Sequence, residues 1–165
     1  MVIHYPFIME QSSSESNESC ALCALCALPG GESCWEDAFC RVVIVQGRDG
    51  RAYPGTCRVI WKQHVAEMTD LDAGQRRHFM DVVFATEAAL RQLCQPHKIN
   101  LASLGNVVPH LHWHVIPRYR DDAHFPAPIW AAAERQDVPQ RLAPEAHALR
   151  LCIATALAAG GGNAT

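Results

Sequence analysis

The sequence predicts an α+β domain built on an antiparallel sheet. Short runs rich in β-branched residues occupy positions 41–45 and 58–61, as is typical of strands. A longer segment, residues 72–94, repeats apolar side chains at three- and four-residue steps, which indicates an amphipathic helix. Two more apolar runs follow, at residues 99–104 and 111–116. The break between them is short enough for the two strands to pair as antiparallel neighbours.

Local signals set the expected ends of these elements. The stretch between the first two strands is rich in glycine and proline, which predicts a turn-rich loop. The long helix is expected to begin near Asp70 or Asp72 and to stop before Pro96. A second helix is expected from residue 144 to about residue 157. The face of the long helix expected to be buried carries Phe79, Val82, Val83, Ala85, Thr86, Ala89, Leu90 and Leu93.

The chain of 165 residues has the length of one domain. A polar tract without apolar side chains predicts a disordered leader over residues 1–19. The folded domain is expected over residues 20–157. Three consecutive glycines predict a flexible tail at residues 158–165.

Composition narrows the expected partners and location. The net charge is −3, and the absence of a long basic run argues against polymeric nucleic acid as a partner. No apolar stretch approaches the roughly 20 residues that a membrane helix needs, and no export signal is evident, so we expect a cytoplasmic protein with no membrane partner. The eight cysteines are then expected to be reduced thiols or metal ligands.

His110, His112 and His114 alternate with apolar residues in the fourth strand. Because successive side chains of a strand point to opposite faces, the three imidazoles are expected to share one face. A lone strand histidine is usually a packed or surface residue, but three on one face are costly unless partners or a pocket receive them. One metal ion bound by all three rings is disfavoured, since the outer two Cα atoms would lie about 13 Å apart.

Nucleophilic chemistry at phosphorus suits this arrangement better. A neutral imidazole is a nucleophile near pH 7 and needs no strong base to activate it. The middle ring, His112, has a neighbour on each side, so one ring can attack while another delivers a proton to the leaving group. The pattern therefore predicts a site that acts on a phosphorylated ligand.

The segment from His110 to Arg118 resembles the signature of the histidine triad family: His-x-His-x-His, two apolar residues and then Pro-Arg. Residues 98–101 and 105–108 are similar to the family's Asn strand and Gly-Gln-x-Val turn. Residues 53–64 look like its Pro-Gly turn, apolar strand and Lys-x-His. The resemblance covers most of the expected domain, roughly residues 23–130.

Two positions depart from the family pattern. Asn106 stands where a glutamine is common, and Pro109 replaces a Ser or Thr that is often found just before the triad. Both changes remove or shorten a hydrogen-bond donor near the leaving group. They bear on substrate preference more than on the chemistry of His112.

The resemblance implies a histidine-triad-like fold with an antiparallel sheet of about five strands, one long helix and a C-terminal helix. It implies a hydrolase of small nucleotide conjugates, either nucleoside phosphoramidates or dinucleoside polyphosphates. His112 would attack the α-phosphorus, giving a nucleotidyl-histidine that water hydrolyses, and its other ring nitrogen would donate to a backbone carbonyl. His114 would contact the phosphate or bridging atom, and His110 would position the polar face of the strand. Asn100 and Asn106 are the candidate phosphate or sugar contacts.

No cofactor is required for this chemistry, but the resemblance implies a structural zinc site. Some family members bind zinc through a Cys-x-x-Cys pair and two histidines, and the matching residues are Cys23, Cys26, His64 and His110. The alternative is a pair of reduced thiols packed at the start of the domain. His64 would then be a nucleotide contact at the rim of the active site.

The expected partner is a small-molecule nucleotide, and the resemblance also implies a homodimer. Two other functions stay open on the sequence. One is a nucleotidyltransferase, which passes the same histidine intermediate to an acceptor other than water. The other is a non-catalytic module that binds a nucleotide or zinc.

Overall fold

The computed structural model describes residues 23–160. The predicted leader, residues 1–19, lies outside this range, as do residues 20–22 and residues 161–165 of the predicted tail. In chain order the elements are α1 (Ala24–Ala27), β1 (Glu32–Glu36), β2 (Cys40–Ile44), α2 (Gly47–Ala52), β3 (Cys57–Trp61), a 3₁₀ turn (Met68–Asp70), α3 (Ala73–Cys94), β4 (Lys98–Ser103), β5 (His112–Arg118) and α4 (Ala146–Gly160). Within residues 23–160, no helix has the length and apolar character needed to cross a membrane.

The five strands form one sheet in the order β1-β2-β3-β5-β4, and every neighbouring pair is antiparallel. This confirms the predicted α+β class and the sheet of about five strands. The expected pairing of the last two strands is also present and runs from Lys98 opposite Arg118 to Ser103 opposite Trp113. Strand β5 therefore lies inside the sheet, between β3 and β4.

The elements that the sequence did not predict include α1, β1 and α2. Strand β1 was not predicted, because only Cys34 of its five residues is buried, and Cys34 and Trp35 are adjacent and flanked by polar residues, so no alternating pattern appears. Helix α2 occupies the stretch predicted as a turn-rich loop. It has six residues, too few to show a helical period, and Gly47 has a positive φ of 75° that glycine adopts without strain.

Strand β5 begins at His112 and runs through Pro117, whereas the sequence predicted residues 111–116 with Pro117 as the stop. A proline is rare inside a sheet because it lacks the N–H of a ladder bond. The pairing of β5 with β3 ends at Val115 opposite Cys57. Pro117 therefore lies past the end of β3 and costs no hydrogen bond on that side.

Helix α3 matches its predicted bounds and buried face. Asp72 caps its N-terminus by accepting from the Gln75 N–H, and the Gln75 side chain accepts from the Asp72 N–H, a reciprocal capping box. Seven of the eight predicted face residues are buried, and Leu93 packs against them while partly exposed. Helix α4 begins near its predicted start and extends to Gly160, beyond the predicted end at residue 157.

Both long helices pack on one face of the sheet and form the core. The sheet side chains buried there include Cys40, Val42, Ile44, Cys57, Val59, Trp61 and Val115. Each of these strands alternates, so the residues between them point to the other side. That opposite side, called the polar face below, carries Arg41, Arg58, His112, His114 and Asn100.

The segment from Cys23 to Gly30 lies over one part of the polar face. Cys23 and Leu25 form a small apolar cluster with Val43 and Ile60 of the sheet. Arg41 fastens the segment, since its guanidinium donates to the backbone carbonyls of Leu25, Leu28 and Pro29. The start of the domain is thereby held against the sheet beside the histidines.

Candidate active site and metal centre

Strand β5 presents two histidine rings to the polar face. His112 and His114 are alternate residues of the strand, opposite Ile60 and Arg58 of β3. Their ring centroids are 4.9 Å apart. His110 precedes the strand in a turn in which its N–H donates to the Val108 carbonyl, so its ring contacts a different set of residues. The three histidines of the motif thus divide into a pair and a single ring.

The backbone fixes the tautomer of His112. Its Nδ1 lies 2.7 Å from the carbonyl oxygen of His110, and because that oxygen only accepts, Nδ1 carries the hydrogen and donates. In the neutral ring Nε2 then carries the lone pair. It lies 3.2 Å from Nε2 of His114, which must supply the hydrogen of this contact. His112 is 7% exposed, so little of its ring is open to solvent.

Burial keeps both rings of the pair neutral. It is the main cause that lowers the pKa of His112, with a further contribution from the Arg58 charge, while the hydrogen bond to the His110 carbonyl acts in the opposite direction. For His114, burial and then the charges of His112 and Arg58 lower the pKa from 6.5 to about 4. At neutral pH both rings are therefore neutral, and His114 can donate a hydrogen bond from its Nε2–H.

A buried arginine joins the end of β5 to the loop that follows it. Arg118 is 1% exposed and donates to both carboxylate oxygens of Asp122, at 2.7 and 3.0 Å. It also donates to the side-chain oxygen of Asn100 at 2.6 Å and to the Ala127 carbonyl at 2.8 Å. Asn100, predicted as a nucleotide contact, lies on the polar face with its carbonyl oxygen engaged by Arg118. Asn106, the second candidate, is exposed in the loop between β4 and β5.

Two residues near the histidine pair were not predicted as part of the site. Trp130 is 52% exposed and contacts His114 edge-on with ring centroids 6.2 Å apart. It lies in an irregular segment, so no periodic signal placed it there. Arg58 lies directly opposite His114. Its signal was available, since a charged residue in an otherwise apolar strand marks the face on which it lies.

Four ligand atoms meet where His110 contacts the start of the domain. Cys23, Cys26, His64 and His110 bring two Sγ and two Nδ1 atoms within 4.8 Å of one another. His110 Nδ1 lies 3.5 Å from each sulfur, His64 Nδ1 lies 3.6 Å from Cys26 Sγ, and the two Nδ1 atoms are 3.2 Å apart. The structure thus brings together all four residues that the sequence matched to a zinc site.

These distances fit the edges of a tetrahedral zinc site. Zinc–sulfur bonds of about 2.3 Å and zinc–nitrogen bonds of about 2.05 Å give S···N edges of about 3.55 Å and N···N edges of about 3.35 Å. His110 is further oriented by its Nε2, which donates to the Trp61 carbonyl at 2.6 Å, as metal-bound histidines commonly are. His64 lies in this cluster, beside His110 and Cys26.

A second group of potential ligands, Asp37, Cys40 and His78, has a different geometry. The Asp37 carboxylate lies 2.7 Å from His78 Nε2, shorter than the edge between two ligands of one metal and typical of a charge-assisted hydrogen bond. Its other oxygen accepts from the N–H groups of Phe39 and Cys40. Burial raises the pKa of Cys40, so the thiol resists the deprotonation that a metal requires. This group stabilises the turn between β1 and β2.

The fold and the site together define a class: an α+β protein with a pair of buried histidines on an inner antiparallel strand. The HIT domain model matches residues 41–121, from β2 to the end of the histidine motif. The chain is a member of the histidine triad family, which includes nucleotide hydrolases and transferases. This confirms the resemblance seen in the sequence.

Solved structures of the family share the fold. A histidine triad protein from Bradyrhizobium japonicum is 28% identical, with a TM-score of 0.57, and the match covers 79% of this chain and 90% of that one. A histidine triad protein from Marinobacter aquaeolei VT8 is 25% identical over 68% of this chain and 77% of its own, with a TM-score of 0.56. A Zn-bound histidine triad family protein from Mycobacterium smegmatis shares the fold at 21% identity and a TM-score of 0.54, covering 88% and 99%. No curated protein matches the sequence.

Proposed function

We propose that this chain hydrolyses small nucleotide conjugates at the α-phosphorus, through a nucleotidyl intermediate on His112. The observation that carries the proposal is the tautomer of His112. Its Nδ1–H is held by the His110 carbonyl at 2.7 Å, and its Nε2 lone pair faces the polar side of the sheet beside His114. A nucleophile that is neutral, oriented and unprotonated at the reacting atom suits attack on phosphorus.

In the first step the Nε2 lone pair of His112 forms a bond to the α-phosphorus, and the bond from phosphorus to the leaving group breaks. The leaving group takes the electron pair, together with a proton from water when it leaves as an amine, and the imidazole becomes cationic while keeping its Nδ1–H. The His110 carbonyl then accepts a hydrogen bond from a charged donor, which is stronger than the bond to the neutral ring. This bond stabilises the intermediate more than the free enzyme, as catalysis requires.

His114 acts as a hydrogen-bond donor in this proposal. Its pKa of about 4 keeps it neutral, so it contributes its Nε2–H to a phosphate oxygen rather than a full proton. The contact of 3.2 Å with His112 Nε2 is exchanged for one with the substrate. In the second step water attacks the phosphorus, releases a proton to solvent, and the P–N bond breaks to restore neutral His112.

We also propose that Cys23, Cys26, His64 and His110 hold a structural zinc ion. The four donor atoms and their spacing fit the ion, and a relative with this fold is described as Zn-bound. Bound zinc would cross-link the start of the domain to the segment that follows β3, through His64, and to the segment that precedes β5, through His110. Because all four ligand positions come from the protein, no open position is left for a substrate. The ion is therefore assigned to folding and not to the reaction.

The proposal for His112 is tested by nucleotide release. Purified full-length chain is incubated with adenosine phosphoramidate and with a diadenosine polyphosphate, and AMP is measured over time. We expect release by the wild type, loss of at least 10³-fold in kcat for His112→Ala, and an unchanged rate for His147→Ala, since a lost nucleophile removes the whole covalent route. His147 is exposed on α4 and serves as the matched control.

Two further results would redirect the assignment. Faster transfer of the nucleotide to inorganic phosphate than to water would make the chain a nucleotidyltransferase with the same intermediate. Binding of nucleotides without turnover of any conjugate would make it a non-catalytic module. A His112→Ala variant as active as the wild type would refute the nucleophile.

A further inference from the structure

The polar face carries an arginine whose charge meets no carboxylate in the described part of the chain. Arg58 lies in β3, directly opposite His114 of β5. None of the ion pairs found among residues 23–160 includes it. The hydrogen bond found for its side chain runs from Nη1 to the Gly30 carbonyl at 3.3 Å, a long bond to a neutral acceptor.

Arg58 occupies this position at a cost. Its Nε is buried and has no hydrogen-bond partner among residues 23–160. An unpaired N–H of a charged group inside a protein is unfavourable, and a leucine or valine at this strand position would avoid the penalty. The residue as a whole remains partly exposed, which leaves donors at the outer edge of the guanidinium.

The neighbouring arginine of the same face shows what a purely structural role looks like. Arg41 donates to three backbone carbonyls, those of Leu25, Leu28 and Pro29. That set holds the segment from Cys23 to Gly30 against the sheet. Arg58 adds one weak bond to the same segment, so fastening it does not account for a second arginine.

A guanidinium with unused donors is suited to an anion, because its planar N–H groups match two oxygens of a phosphate or carboxylate. The position of Arg58 beside His114 places that capacity next to the proposed nucleophile. We propose that Arg58 is a substrate-binding residue that receives an anionic oxygen of the nucleotide's phosphate chain beside the His112–His114 pair. The identity of the anion rests on the proposed function, whereas the anion site itself follows from the surroundings of Arg58.

The test compares a charged ligand with its uncharged counterpart. Dissociation constants are measured by calorimetry for the four common nucleoside 5′-monophosphates and their nucleosides, on the zinc-loaded full chain. The variants are Arg58→Met, which keeps the length of the stem, Arg58→Lys, which keeps the charge, and Arg48→Met. Arg48 is exposed on α2 and controls for the loss of one positive charge.

We expect the wild type to bind at least one monophosphate more tightly than its nucleoside. Arg58→Met should weaken the binding of that monophosphate about tenfold or more and leave the affinity for the nucleoside unchanged, as expected for the loss of one charge-assisted contact. The dissociation constant of Arg58→Lys for the monophosphate should lie between those of the wild type and Arg58→Met. That of Arg48→Met should match the wild type. Inorganic phosphate should compete with the monophosphate in the wild type and more weakly in Arg58→Met.

Three results would overturn the proposal. One is a wild type that binds no monophosphate better than its nucleoside. Another is Arg58→Met with wild-type affinity for the monophosphate. The third is an equal loss for nucleoside and monophosphate together with a lower melting temperature, which would assign Arg58 to holding Gly30.

Turnover separates this inference from the proposed function. If the wild type releases AMP from a conjugate and Arg58→Met keeps its affinity for the monophosphate, Arg58 loses its role and the hydrolase stands. If monophosphate binding depends on Arg58 but no conjugate is turned over, the hydrolase fails and the anion site stands.

Discussion

His110 connects the two halves of the site. Its backbone carbonyl accepts from Nδ1 of His112, and its own Nδ1 faces Cys23 and Cys26. Burial is the main cause that lowers its pKa, and the resulting neutral ring is the form that ligates a metal. One residue therefore fixes the tautomer of the proposed nucleophile with its main chain and belongs to the proposed zinc ligand set with its side chain.

The neutral state of His114 makes folding sensitive to acid. Its pKa falls from 6.5 to about 4 on folding, because of burial and the charges of His112 and Arg58. The unfolded chain then binds a proton that the folded chain refuses, so the stabilisation is complete above pH 6.5 and is lost as the pH falls from 6.5 towards 4. We expect His114→Gln to lose less free energy of unfolding than the wild type between pH 7.5 and pH 5, measured by urea titration.

His147→Gln is the control for this comparison, since His147 is exposed on α4 and its replacement should leave the wild-type pH dependence in place. Equal losses of stability for the wild type and His114→Gln over the same pH range would show that the His114 ring is protonated without penalty in the folded chain.

At the scale of elements, a buried ion pair joins β5 to the loop after it. Arg118 and Asp122 are both buried, at 1% and 6% exposure, and share two hydrogen bonds. Asp122 also accepts from the backbone N–H groups of Tyr119, His124 and Phe125. The pair thus shapes the chain that leads from the histidine strand towards Trp130.

Breaking this pair should be costly. Asp122→Ala leaves the Arg118 guanidinium buried without its counter-ion, and removal of one partner of a buried pair typically costs about 3–5 kcal/mol. We expect a loss of that size in the free energy of unfolding. Asp121→Ala is the matched control, because Asp121 is exposed and pairs with Arg141 at the surface, where such pairs contribute little. A small and equal effect of both changes would contradict the interpretation of Asp122 as a buried anchor.

Sequence predicts an element when its own residues carry the signal. Helix α3 is 22 residues long with a capping box and a continuous apolar face, so its bounds and core residues could be predicted. Strand β1 forms because β2 offers it an edge, and its pairing is irregular between Ser33 and Trp35. Such an element depends on its neighbour and not on its own side chains, which is why it was missed.

At the scale of the whole molecule, the site forms where three distant parts of the chain meet. The cysteines lie at the start of the domain, His64 follows β3, and His110 precedes β5. No periodicity relates these positions, and in the sequence only the family resemblance predicts that they form one group. Arg58 and Trp130 lie beside the His112–His114 pair, but no motif led to them. Pairing across the sheet and the course of the loop after β5 placed them beside His114.

If zinc holds this meeting point together, its removal should loosen the start of the domain before the core. Metal analysis of the full chain is expected to find one zinc per chain, and a chelator should lower the stability by about 4 kcal/mol relative to free zinc at a thousand times its dissociation constant. Cys26→Ser should show the same loss without chelator. Cys152→Ser, which alters a partly buried thiol of α4 outside the cluster, should bind zinc as the wild type does.

Because Arg41 and the apolar contacts of Leu25 also hold the segment from Cys23 to Gly30 against the sheet, the metal-free chain should stay folded but become cleavable by protease near Leu28, an exposed residue. A wild type that contains no zinc and gains no stability when zinc is added would leave the four residues as packed thiols and imidazoles.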